Sequence, residues 1–540
     1  MTPNELYYFV PGQVILHIEH EKMDWDDLEA AIAAFLSTPN PPWDSLAVLK
    51  GKAITFPLIR SDDGKYISIV LTKFDPYPLI GNELDINGQQ NFPINELIQL
   101  YTELGTGVFI SHDPHIFLRT LAPNLLASGM PHQPGLGGPG SWPEEAVPPV
   151  DNWGKFTLPG LINLSELDML YVGEKVEVAI LDTAPKTTRY MKSPTETGSI
   201  DWPDFPALDN NKLYQDLRKK LVIVDYQPTW EDFCFSLRGH GYLMPDHGLF
   251  IAGIIHTLAP GARLKLYEVL NPYGAGSYYS IYTGLQSALT SFTPRNRNGV
   301  NKLIINMSLV LNLPVVLNLP HLPDKGNKYI YLNDDLGITN KYVEQIQIEC
   351  FDFMSVSIRE ILRQIVGYKD VLVVASAGND AKDGSRPWAR YPAACQGVIG
   401  VGALPKNSLL NFCTHKPASY SNICDQPPSE GYMTLGGESG VNNGIRGVFI
   451  HDFPNSATPT APIKNNTGWA WWAGTSFAAP IISGILAAGW SRSWGSQATV
   501  GVSASAKAHS FLNLASAFNI TNIKEKVIVV TQAQLSPHPH

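Results

Sequence analysis

Gly474-Thr475-Ser476-Phe477-Ala478-Ala479-Pro480 opens directly into the apolar, small-residue run Ile481 to Trp490. The stretch reads as a serine at the mouth of a buried helix. Small Ala478 and Ala479 permit close helix packing, and Pro480 is read as part of the first turn, where backbone N–H groups have no intrahelical acceptor. A helix N-terminus also favours developing negative charge. Ser476 is therefore a candidate nucleophile. A serine opening a helix is more often a plain cap, so its partners must decide the reading.

Upstream, from about residue 151, short apolar strands alternate with helix patterns, the signature of a parallel sheet covered on both faces. Strands are predicted at 176–181, 262–270, 302–307, 371–375 and 398–403, and helices at 249–255, 280–289 and 346–366. The first of these strands ends in Asp182, and open parallel sheets place their sites at the carboxyl ends of strands. His247 opens the helix pattern at 249–255. Alone, Asp182 reads as a turn residue and His247 as a cap or core histidine. Together with Ser476 they supply an orienting acid, a general base and a hydroxyl for it to activate. Asn379 follows the strand at 371–375, where its amide can donate to an oxyanion; an Asn-Asp turn is the plainer reading.

These residues resemble the subtilisin-like serine proteases. The order Asp182, His247, Ser476 is that family's order. Asp182-Thr183-Ala184 resembles its Asp-Thr/Ser-Gly motif, His247-Gly248 with Ala252-Gly253 its histidine motif, and Gly474 to Pro480 nearly matches Gly-Thr-Ser-Met-Ala-Ala-Pro. The resemblance covers about residues 161–518. It implies an α/β, subtilisin-like parallel sheet with helices on both faces, and a serine endopeptidase needing no cofactor. Leu249 stands where the family has Thr and Ala184 where it has Gly, neither being a reacting group. Residues 254–260 run straight across the point where the family often inserts a calcium loop, so that site is expected to be absent.

By the same resemblance, substrate lies as an extended strand between Gly274-Ala275-Gly276 and Ser308-Leu309-Val310, with Val310 standing where the family usually has Gly, and Ala377 and Gly378 also line the cleft. Arg390, just before Tyr391-Pro392, is expected at the base of the first specificity pocket. A guanidinium there predicts cleavage after Asp or Glu, since its fork matches a carboxylate. Pairing with Asp380 or Asp383 would instead neutralise it. The segments 183–246 and 310–345 are long for the family and read either as a selective rim or as tolerated surface insertions.

Residues 1–130 read as a small α+β domain, with strands at 10–17, 53–59 and 66–72, a turn at 61–64, and helices at 25–35 and 94–104. By resemblance this is either a propeptide that covers and inhibits the cleft or a regulatory domain. The Pro- and Gly-rich stretch 131–150 reads as a linker carrying Glu144 and Glu145 as processing points, with Asp151 just beyond. The peptidase domain spans 151–520, and 521–540 forms a C-terminal tail.

The 540 residues suffice for two domains with a large core. A net charge of -10 without clustered Lys or Arg argues against nucleic-acid binding. No stretch is apolar over the roughly 20 residues that span a bilayer, and the first residues lack a basic, apolar leader. Five scattered cysteines without a Cys-x-x-Cys pair fit reduced thiols. A cytoplasmic protein acting on protein or peptide is expected. An acyl transferase or cyclase built on the same residues, and an inactive peptide-binding scaffold, are the alternatives.

Overall fold

The computed structural model describes residues 9–21, 26–27, 30, 46–48, 54–60, 66–74, 108–109, 116–128, 143–147, 156–157, 173–185, 197–198, 202, 205, 208–224, 244–272, 274–292, 299–311, 316–318, 329–331, 357–381, 386–406, 416–424, 431–438, 443–453, 462–491, 504–515, 526–528 and 531–532. The chain divides into two compact units. The first comprises Met1–Ala127, Ser277–Ser291 and Leu311–Ile361; the second comprises Ser128–Gly276, Phe292–Val310 and Leu362–His540. The sequence reading put 277–291 and 311–361 in the peptidase domain, whereas contacts group them with the N-terminal residues.

The first unit is built on an antiparallel sheet of β1 (Phe9–His20), β2 (Leu46–Val48), β3 (Ile54–Arg60), β4 (Tyr66–Phe74), β5 (Val108–Phe109) and β6 (Ile116–Ser128). The order is β6-β1-β4-β2, with β3 also on β4 and β5 on β6. The three expected strands are present. Ile15, Leu16, His17 and Ile18 are all fully buried, so β1 is covered on both faces. His17 Nε2 lies 2.7 Å from the hydroxyl of Tyr278, on the helix Tyr278–Ser291 of the same unit. The predicted helix at 94–104, the turn at 61–64 and most of the predicted helix at 25–35 fall outside the described residues.

In the second unit the strands, in chain order, are β7 (Glu144–Glu145), β8 (Phe156–Thr157), β9 (Val176–Asp182), β10 (Thr197–Gly198), β11 (Val222–Val224), β12 (Arg263–Glu268), β13 (Lys302–Met307), β14 (Val371–Ser376), β15 (Ile399–Leu404), β16 (Gly431–Leu435), β17 (Ile445–Val448), β18 (Trp469–Trp472), β19 (Lys526–Val527) and β20 (Thr531–Gln532). Nine of them form one sheet, β10-β11-β12-β9-β13-β14-β15-β16-β19, parallel throughout except at the edge strand β10. From β9 the chain builds β10 to β12 on one side of that strand and then crosses to β13 on the other. The carboxyl end of β9 is thus a topological switch point, where such sheets open a crevice. Every residue of β9 is buried, which is why it reads as a mostly apolar run, interrupted by Glu177 and ended by Asp182.

Four helices are labelled in this unit: α1 (Lys212–Lys220), α2 (His247–Leu258), α3 (Thr475–Trp490) and α4 (Ala504–Ala515). Asn211 caps α1 by accepting from the Tyr214 N–H, and Arg218, Lys219 and Lys220 sit in its last turn, where cations suit the helix dipole. α2 is buried on all sides and α3 almost so, as helices inside a large core are. They touch closely enough that a Cβ added to Gly484 would lie 2.7 Å from Leu258 Cβ. Lys302 Nζ donates to the Trp490 carbonyl at 2.6 Å and so closes the carboxyl end of α3.

Two segments assigned outside the peptidase core by sequence are paired with it. β7, within the predicted linker, runs antiparallel to β18, and Asn466 N–H donates to Glu145 Oε1 at 3.0 Å. β19, within the predicted tail, extends the main sheet beyond β16. The described part of 183–246 includes β10, α1 and β11, which complete the opposite edge of that sheet; most of 310–345 lies outside the described residues. Among the described residues no helix is long and apolar enough to cross a membrane.

Candidate active site

Asp182 ends β9 and His247 begins α2, and the two meet: His247 Nδ1 lies 2.7 Å from Asp182 Oδ1. The same carboxylate oxygen accepts the Thr183 N–H at 2.7 Å. The approach depends on Gly248, because a Cβ there would lie 2.2 Å from the Thr183 carbonyl oxygen. Thr183 also grips the chain entering α2. Its hydroxyl lies 3.0 Å from the Pro245 carbonyl and accepts the Gly248 N–H at 3.3 Å. Sequence reasoning treated Thr183 only as part of a motif.

Ser476, the second residue of α3, is 4% exposed and His247 is 2% exposed. The Ser476 hydroxyl donates to the Ser308 carbonyl at 3.3 Å. His247 Nε2 is buried without a hydrogen-bond partner among the described residues, so it is free to receive a proton. Aromatic rings close around the imidazole. Trp472 stands edge-on at 5.1 Å and Phe477 at 5.3 Å between ring centroids. Phe250, in turn, packs on both of those rings.

Pro480 is the sixth residue of α3, beyond the first turn in which the sequence reading placed it. Its missing N–H would have bonded to the Ser476 carbonyl four residues back. That carbonyl accepts the Ser308 hydroxyl at 2.8 Å instead. Ser308 Oγ also accepts from Asn306 Nδ2, and Asn306 Oδ1 accepts from Ser483 Oγ, so a buried polar chain runs from β13 along α3.

Asn379 is oriented by a residue that sequence reasoning missed. Its Oδ1 accepts both the N–H and the hydroxyl of Thr475, each at 2.9 Å. With the oxygen so engaged, the Nδ2 donor of the amide is turned away from Thr475. The Thr475 hydroxyl oxygen also accepts the Gly378 N–H at 3.2 Å. Gly378 has φ +109, and a Cβ there would lie 2.8 Å from Asn422 Nδ2, so only glycine fits.

The other residues expected to line a cleft lie at strand ends and turns tied to these groups. Ser308 and Leu309 follow β13, and Ala377 follows β14 and accepts the Arg390 N–H at 2.9 Å. Gly274 has φ +74, Ala275 and Gly276 begin the short strand Ala275–Ser277, and Gly276 bridges to Leu270. The Leu270 N–H donates to the Asp182 carbonyl at 3.3 Å, which ties this edge to the end of β9.

Arg390 does not present a vacant guanidinium. Its Nε donates to Asp380 Oδ2 at 2.6 Å and its Nη2 to Asp380 Oδ1, a two-pronged pair. Asn422 reinforces it, donating to Asp380 Oδ2 at 2.8 Å and accepting the Asp380 N–H at 2.7 Å. Of the two neutralising partners considered from sequence, Asp380 is the one seen; Asp383 lies outside the described residues.

The profile of the subtilase family, peptidase S8, matches residues 173–516, a span holding every residue named in this site. The chain belongs to the subtilase family. Subtilases are serine peptidases, and the nine-stranded α/β sheet with its helices is the fold expected of a member. Three solved structures are similar. The prenylagaramide maturation protease PagA has 19% identity and a TM-score of 0.32, over 61% of this chain and 80% of that one. A lanthipeptide protease has 18% identity and a TM-score of 0.37, over 72% and 95%. A cold adapted subtilisin-like serine proteinase has 14% identity and a TM-score of 0.33, over 67% and 91%.

Proposed function

We propose that this subtilase is a serine endopeptidase in which Asp182 orients His247, His247 deprotonates Ser476, and Ser476 attacks the scissile carbonyl. The observation that carries the reading is the 2.7 Å bond between Asp182 and His247 Nδ1, with Nε2 left to take a proton. Rotation of the Ser476 side chain from the Ser308 carbonyl to another staggered position, toward Nε2, starts the reaction. The tetrahedral oxyanion is held by Asn379 Nδ2 and the Ser476 backbone N–H. His247 then protonates the leaving amine, and water resolves the acyl-enzyme.

Preference for Asp or Glu before the cleaved bond is part of the proposal only in a conditional form. Asp380 already fills the Arg390 fork, so a substrate carboxylate must displace it or share the guanidinium. Transfer of the acyl group to an amine is a second reading. The Trp472, Phe477 and Phe250 rings favour it, since a dry histidine discourages hydrolysis of the acyl-enzyme.

Protein or peptide is the proposed partner. Residues 1–130 are proposed to restrain activity until released, and a full-length intact mass for the fully active protein would count against that. A cytoplasmic setting is proposed as well, in keeping with Cys395 and Cys424, which are buried as thiols and not joined in disulfides. The test of function is cleavage of a diverse peptide library by wild type beside Ser476→Ala, with added amines and product termini read by mass spectrometry. Products made by wild type alone support the peptidase, and amine-capped products support transfer. Identical blank results from both proteins would leave two readings, a protein still restrained by its N-terminal residues and an inactive scaffold, which a chain starting near Asp151 would separate.

A further inference from the structure

The residue before His247 carries a second acid-histidine pair. Asp246 stands at the N-cap position of α2, yet its side chain makes no cap bond. Its fully buried carboxylate reaches the loop after β17 instead. Oδ2 accepts the N–H groups of Ile450 at 2.7 Å and His451 at 2.6 Å, and Oδ1 lies 2.7 Å from His451 Nδ1. A helix cap would need none of this, and a buried carboxylate is retained only when such donors offset its lost hydration.

The loop so gripped is itself tied to the strand that leads to Ser476. Asn465 Nδ2 donates to the carbonyls of Phe449 at 2.8 Å and His451 at 3.1 Å, and its Oδ1 accepts the N–H groups of Thr467 and Gly468. Gly468 leads into β18, whose Trp472 faces the His247 ring, and β18 leads in turn to Ser476 on α3. Hydrogen bonds therefore tie the start of the histidine helix to the approach of β18, and the strand itself carries the link on to the start of the serine helix.

We propose that Asp246 and His451 are positioning residues that hold His247 in register with Ser476. The proposal rests on the serine-peptidase reading. His451 is 39% exposed and Asp246 fully buried, so His451 can be replaced with little change to the core.

The test uses the full chain and two readouts: the rate at which a fluorophosphonate labels Ser476, and kcat and KM on a peptide that wild type cleaves. His451→Ala is expected to lower the labelling rate and kcat about tenfold or more, with KM unchanged, because a small misplacement of a catalytic group is costly. Its thermal midpoint should fall only modestly, since Asp246 Oδ1 loses one donor while the Ile450 and His451 N–H groups still bond Oδ2. His451→Asn, which keeps an N–H donor near the Nδ1 position, should recover most of the loss. Wild-type rates in His451→Ala would overturn the pair, as would a loss that follows the thermal midpoint and is not recovered by His451→Asn. Wild type that is neither labelled nor able to cleave even after its N-terminal residues are released would overturn the peptidase reading itself, whereas labelled wild type with unchanged variants would overturn the pair alone.

Discussion

The Ser308 hydroxyl donates to the Ser476 carbonyl, the acceptor that Pro480 leaves unbonded within α3. The bond anchors the candidate nucleophile's backbone to the end of β13. Replacing Ser308 with Ala strands a buried carbonyl, which by general experience costs about 1–3 kcal/mol. Urea denaturation of Ser308→Ala should therefore give a lower midpoint, and Ser308→Ala with Pro480→Ala should recover part of it by restoring the helical N–H.

Thr475 aligns Asn379, so their substitutions should act on the same step. Asn379→Ala should lower kcat by about 100-fold to 1000-fold with little change in KM, as loss of an oxyanion donor does. Thr475→Val removes the hydroxyl but keeps the N–H, and should give a smaller loss of the same kind. Steady-state kinetics showing a KM effect alone would count against the assignment.

Gly248 allows α2 to meet β9. A methyl group at 2.2 Å from the Thr183 carbonyl must push the helix start away from Asp182. Gly248→Ala should cost about 1–3 kcal/mol of stability by the usual penalty of overpacking, and should lose activity beyond what that cost explains.

Burial sets a pH dependence in both units. Burial pushes His256 down to about 4, against a smaller opposing contribution from its bond to Asp216, and burial likewise pushes His17 down to about 3. In the unfolded chain both imidazoles take a proton near pH 6.5. Between 6.5 and these lower values the unfolded state binds more protons than the folded state, so stability falls as pH falls. Each group contributes at most about 1.4 kcal/mol per pH unit across its window. Urea midpoints should drop from pH 7 to pH 5, and His256→Gln should flatten that drop.

Asp380→Asn tests the pocket. Without the competing carboxylate, Arg390 is released to substrate, and kcat/KM for peptides with Asp or Glu before the cleaved bond should rise relative to neutral peptides. No change in relative preference would mean that Arg390 serves the fold rather than selection.

Much of this was legible in the residues, and what was not has physical reasons. The central strands β9, β14 and β15 are mostly apolar runs, and the candidate triad stands at the end of β9 and the starts of α2 and α3, so both could be read directly. Pro480 could not be placed, because where a helix starts depends on the turn that Gly474 makes. The tail strand β19 and the linker strand β7 are two residues each and carry no pattern of their own; they are strands only because β16 and β18 offer open edges. The pairing of Arg390 with Asp380, ten residues away in sequence, depends on the fold between them. Asp246 carried no signal of its own, because its partner, His451, lies 205 residues away.

The central claim is that Asp182, His247 and Ser476 act as one unit. The most direct measurement is kcat for Ser476→Ala, His247→Ala and the double variant on one cleaved peptide. The account predicts that each single change costs on the order of 10⁶-fold and that the double costs no more, since either loss disables the same step. Losses that multiply in the double variant, or a Ser476→Ala protein that still cleaves, would contradict it.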